Sequence, residues 1–73
     1  MTKKQMKALE ELLNERHTIA VMTDKEMGNE NGSDFLPRNP DFIYYKAILE
    51  TLQYLGYSWE RKIRDGKPHH LIF

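Results

Sequence analysis

Three histidines, His17, His69 and His70, are the side chains in this sequence best suited to hold a metal ion or to move a proton near neutral pH. His69 and His70 are adjacent in a segment that reads as a strand, so their rings point to opposite faces and do not share one metal. A zinc site needs three or four converging ligands. With His17 as the one further histidine, the three are expected to be solvated or hydrogen-bonded, with no metal and no cofactor. The acids and amides Asp24, Glu26, Asn29, Glu30, Asn31 and Asp34 resemble a calcium loop in composition only. A calcium loop of the EF-hand type requires acceptors at positions 1, 3 and 5, glycine at 6 and glutamate at 12, and no register here supplies them. Ser33 and Ser58 have neither a glycine elbow nor a neighbouring base, and Gly28, Gly32 and Gly66 lack phosphate-cradling spacing. The expectation is a protein without catalytic residues, hence not an enzyme.

The cationic residues carry a different chemistry. Arg61, Lys62, Arg64 and Lys67 cluster near the C-terminus. Residues 57–73 carry a net charge of +2 and residues 1–31 one of −1, within a chain whose formal charge is zero. A basic hairpin that follows a helix could touch phosphates as the wing of a winged helix does. The same charges could instead guard a sheet edge against aggregation.

The elements that must position these residues follow from pattern. Seventy-three residues make a single small domain, near the size at which a chain is only marginally stable on its own. The absence of cysteine excludes disulfides and thiolate metal sites, so the core must hold the fold. No apolar run has the length of a membrane span, and the N-terminus enters a charged amphipathic segment. A cytoplasmic protein without membrane contact is expected.

The best-defined stretch is Asn39 to Gly56. Asn39 suits the N-cap, Pro40 the first helical position and Asp41 the positive helix end, and Gly56 provides the stop. Phe42, Tyr45, Ile48, Leu49, Leu52 and Leu55 share one face of this helix, which spans about 40–55. A first helix over about 3–22 begins with a Thr2/Gln5 capping box and carries Met6, Leu9, Leu12 and Leu13 as its stripe. Its last part, 17–22, is read as helix although β-branched residues also suit a strand. Residues 24–38 read as a long loop, pinned near its end by Phe35-Leu36.

After Gly56, a β-hairpin over about 57–73 turns at Arg64-Asp65-Gly66. A three-residue loop pairs Ile63 with Lys67, Arg61 with His69, Trp59 with Leu71 and Tyr57 with Phe73. That register gathers Tyr57, Trp59, Ile63, Leu71 and Phe73 on one face. A two-residue Asp65-Gly66 turn scatters the apolar residues, so the longer loop is expected. The stretch YLGYSWERKIRDGKPHHLIF, Tyr54 to Phe73, resembles the C-terminal ends of small uncharacterised proteins of Firmicutes phages and integrated mobile elements. The resemblance implies a bacterial accessory or phage-related protein and carries no site residues.

The expected architecture is therefore α+β: two helices joined by a long loop, then an antiparallel β-hairpin packed on them. Tyr44, Tyr45, Tyr54, Tyr57 and Trp59 are too many large aromatics for so small a core. Ile43, Ala47 and Tyr54 form a second stripe on the central helix, suited to a protein interface or a homodimer unless the N-terminal segment or the loop covers it. An interaction module is the expected function. A nucleic-acid-binding protein that contacts its ligand through Arg61, Lys62, Arg64 and Lys67 is the alternative.

Overall fold

A computed structural model describes residues 1–29 and 34–73. The order is α1 (Lys3–Glu26), α2 (Pro40–Tyr54), β1 (Trp59–Arg64) and β2 (Lys67–Ile72), with β1 and β2 forming a two-stranded antiparallel sheet. The fold is thus α+β, with the hairpin packed on the helices chiefly through β2 and α1. Among the described residues, no helix is long and apolar enough to cross a membrane.

Both helices start as their sequences dictate. Thr2 accepts from the Gln5 N–H (3.1 Å) while the Gln5 side chain accepts from the Thr2 N–H (2.9 Å), which satisfies two otherwise free donors. Asn39 caps α2 by accepting from the Asp41 and Phe42 N–H groups (2.9 and 3.2 Å). Gly56, at φ +86°, closes α2.

The end of α1 differs from expectation. The helix runs to Glu26, so residues 17–23 are helical and the expected loop at 24–38 begins later. Gly28, read as part of that loop, is the C′ residue of α1 at φ +92°; its N–H donates to the Lys25 carbonyl, and the Asn29 N–H donates to the Asp24 carbonyl. The extra turn is held by Asp24, which is buried and accepts from the Asn39 side chain (2.6 Å), the Asn29 side chain (2.7 Å) and the Leu36 N–H (3.2 Å). Burial pushes the Asp24 pKa up, but these donors outweigh it and hold the carboxyl below its ordinary value. Asn39 also donates to the Ala20 carbonyl (2.9 Å), so one fully buried amide starts α2 and ties it to the last turns of α1. Glu30, Asn31, Gly32 and Ser33, weighed above as loop ligands, phosphate-loop glycine and nucleophile, lie outside the described residues.

The core comprises Leu13, Tyr45, Leu49, Leu52 and Ile72, with Met6, Leu9, Phe42, Ile48, Tyr57 and Trp59 packed around it. Leu55, expected on the buried face of α2, is 65% exposed because it falls at the C-cap, where the chain leaves the helix.

The hairpin register also corrects the expectation. Its pairs are Trp59–Ile72, Glu60–Leu71, Arg61–His70, Lys62–His69, Ile63–Pro68 and Arg64–Lys67. Asp65 and Gly66 form a two-residue turn, both at positive φ (53° and 74°), whose twist matches that of the strands. One face therefore carries Trp59, Arg61, Ile63, Pro68, His70 and Ile72, of which Pro68, His70 and Ile72 are buried against the helices and Ile63 stays exposed near the turn, while Leu71 and Phe73 turn outward at 51% and 62% exposure. Two exposed apolar residues are tolerated because Ile72 enters the core in their place and His70 finds partners for both ring nitrogens.

Candidate functional site

The inward face of β2 meets α1 and α2 in a buried polar cluster. His70 stands at its centre. Asn14 Oδ1 accepts from the His70 backbone N–H (2.8 Å) and lies 2.7 Å from His70 Nδ1. An oxygen already accepting a backbone proton has no hydrogen to give, so Nδ1 carries the ring proton and Nε2 presents its lone pair. The Tyr45 hydroxyl, 2.7 Å from Nε2, is then the donor. Burial, then the positive fields of His17, Arg61 and His69, lower the His70 pKa to about 4, which keeps the ring neutral and this tautomer in place.

His17 joins the cluster from α1. Its ring centroid is 5.9 Å from that of His70, and it packs edge-on against Tyr45 and Phe35, each at 5.4 Å. Its Nδ1 is buried without a hydrogen-bond partner among the described residues. Burial and then Arg61 lower its pKa, which favours the neutral ring there as well. Phe35 stacks on Phe42 at 4.8 Å, which fulfils the expected pinning of the loop by Phe35-Leu36.

The chain hydroxyl, imidazole, amide has the order of a nucleophile, base and orienting group. Tyr45, however, is 2% exposed, and burial raises its pKa despite the Arg61 guanidinium beside the hydroxyl. A phenol shut from solvent and held protonated is a structural donor. Among the described residues, no three His, Asp or Glu side chains converge on a point where a metal would sit.

Two surfaces complete the set of sites. On α2, Ile43 is 53% exposed, Ala47 is exposed and Tyr54 is 91% exposed, so the second stripe faces outward. Beside it, Tyr44, Ala47, Ile48 and Thr51 line a shallow hollow. Arg16 lies over the Tyr44 ring at 5.0 Å and marks where α1 stops covering α2. On the hairpin, the register divides the four bases: Lys62, Arg64 and Lys67 share the outer face with His69, while Arg61 falls on the inner face near Tyr45 and His70. Lys62 is 3.8 Å from Glu60.

Sequence reasoning separated His69 from His70 correctly but missed that His70 and His17 meet. It also passed over Asn14, which looks like any amide on the polar side of α1. Only the two-residue Asp65-Gly66 turn, once chosen, turns His70 toward that amide. No family model matches this chain, and neither a curated protein nor a solved structure matches it.

Proposed function

We propose that this is a small non-enzymatic protein-interaction module that pairs through the outer face of α2, in the simplest case with a second copy of itself. The observation that carries the reading is the exposed stripe of Ile43, Ala47 and Tyr54 beside a shallow hollow on the same helix. Tyr44, Ala47, Ile48 and Thr51 stand at i, i+3, i+4 and i+7, the arrangement of a hole that receives one knob from a facing helix. Tyr54 is such a knob. In an antiparallel two-fold pair, Tyr54 of each copy enters the hollow of the other, so one surface serves both partners. The large rigid ring buries area while its hydroxyl remains at the rim.

The burial of the Tyr45–His70–Asn14 chain supports a structural use for those residues. The charged first helix favours the cytoplasm as the compartment, and the resemblance of residues 54–73 favours a bacterial or phage-related setting. The test is sedimentation velocity at micromolar concentration, where a dimer is expected and Tyr54→Glu gives a folded monomer. A wild-type monomer throughout overturns pairing with itself.

A second reading, nucleic-acid binding, is favoured by one observation: Lys62, Arg64 and Lys67 lie together on the exposed outer face of the hairpin. With Arg61 turned inward, about three phosphate contacts are available, and the log–log salt dependence of affinity should be no steeper than about −3.

A further inference from the structure

The two edges of the hairpin are not equivalent. Ser58 and Phe73 exchange both backbone hydrogen bonds (2.7 and 2.9 Å), and this fixes the phase of the ladder. Within it, the N–H and C=O groups of Trp59, Arg61 and Ile63 point away from β2, and those of Pro68, His70 and Ile72 point away from β1.

The β2 edge is closed by α1. The Ile72 N–H donates to Glu10 Oε2 (2.8 Å) and the His70 N–H to Asn14 Oδ1 (2.8 Å). Glu10 and Asn14 are one turn apart, a rise of about 6 Å, which matches the roughly 6.7 Å between alternate strand residues. At the next outward position Pro68 has no N–H to satisfy. The β1 edge has no counterpart. Among the described residues, nothing accepts from the outward N–H groups of Trp59, Arg61 and Ile63, and β1 is exposed from Glu60 to Arg64.

We propose that the β1 edge is a strand-addition site for an extended, acidic segment of another protein. The backbone supplies the affinity and the side chains the selection. Residues 59–64 carry Arg61, Lys62 and Arg64 against Glu60, so the edge is net positive. Two-fold pairing of this strand with a second copy, centred on the middle outward residue, would bring Arg61 opposite Arg61, an unfavourable like-charge pair. An acidic strand that sets its glutamates on the face of Lys62 and Arg64 meets attraction there, while its alternate residues, on the opposite face, rest against Trp59 and Ile63. This goes beyond the α2 surface and stands whether or not α2 pairs.

The probe is an eight-residue peptide that alternates glutamate with valine and threonine, titrated at low salt into the 15N-labelled full chain. The expected result is movement of the Trp59, Arg61 and Ile63 amide signals with slowed exchange at those amides. Binding should be at least tenfold weaker for the same peptide with lysine in place of glutamate. Ile63→Pro removes one outward N–H and leaves the ladder to β2 intact, and it should weaken binding at least tenfold. Should that variant fail to fold, a peptide N-methylated at alternate residues reads the same dependence from the other side. Absence of any shift at millimolar peptide, or equal binding of the methylated or lysine peptide, overturns the proposal. So does movement of the same amides when the protein alone is concentrated, which gives the edge to a second copy, or when a duplex oligonucleotide is added, which gives it to phosphate. Sedimentation of the Tyr54→Glu variant is read separately, so failure of either surface is assigned to that surface.

Discussion

Acid should destabilise this fold through His70, and the size of the effect can be worked from the cluster. The folded pKa of about 4 lies well below the ordinary histidine value of 6.5, a gap of about 2.5 pH units. Because the folded state binds the proton more weakly, the unfolded chain takes it up first. Stability is therefore fully present above about pH 6.5 and is lost as pH falls toward 4, below which this group removes nothing more. At 1.36 kcal/mol per unit the loss is at most about 3 kcal/mol. Arg61 is exposed to screening solvent, which brings the working figure to about 2 kcal/mol. His17, its pKa also lowered, adds in the same direction. For a domain of this size such a loss is a large part of the total. Urea titrations at pH 7.5 and 4.5 measure it directly. His70→Phe should be less stable at pH 7.5, having lost its bonds to Asn14 and Tyr45, but its stability should fall much less between the two pH values. Parallel losses in both proteins, or an imidazole proton resonance of His70 that titrates near 6.5, would refute the reasoning.

Other substitutions test the packing and the turn. Leu13→Ala, at a fully buried site, should cost about 3–4 kcal/mol by chemical denaturation; a cost under 1 kcal/mol would place Leu13 outside the core. Trp59 is only partly buried, so Trp59→Ala should cost about 2 kcal/mol, less than a fully enclosed indole. In the turn, Gly66→Ala should cost about 1 kcal/mol, whereas Asp65→Gly should be neutral or slightly stabilising, because Asp65 already sits at positive φ. A marked loss for Asp65→Gly would favour the three-residue loop. Asn39→Ala should cost about 2–3 kcal/mol in melting experiments, since it removes the cap of α2 and two donors to α1; an effect of a few tenths would mean the junction is held elsewhere.

The ends of α2 and the start of α1 were legible because caps are written in local sequence: Thr2 with Gln5, Asn39 with Pro40, and Gly56. The end of α1 was not, since Thr23-Asp24 reads as a helix exit until Asp24 is seen held by Asn39, Asn29 and Leu36 from beyond the helix. Periodicity misjudged the hairpin for a related reason. It scores His70 and Pro68 as outward because they are not apolar, but His70 becomes an inward residue once Asn14 and Tyr45, 56 and 25 positions away, complete its hydrogen bonds. The Asp65-Gly66 pair, a strong signal for a two-residue turn, was the local feature that pointed the right way. The outward stripe of α2 was legible as surplus, because a small core has no room for every aromatic side chain.

The closed β2 edge limits how far sheet growth can go. A strand ribbon lengthens into a fibre only when every added unit offers a fresh edge on its far side. Glu10, Asn14 and Pro68 deny that second edge, so anything that pairs with β1 finds no continuation beyond β2. Edge-to-edge association of this chain with itself would stop at two copies. A hairpin with one exposed strand is thus kept from templating open-ended aggregation by two side chains and a missing amide proton.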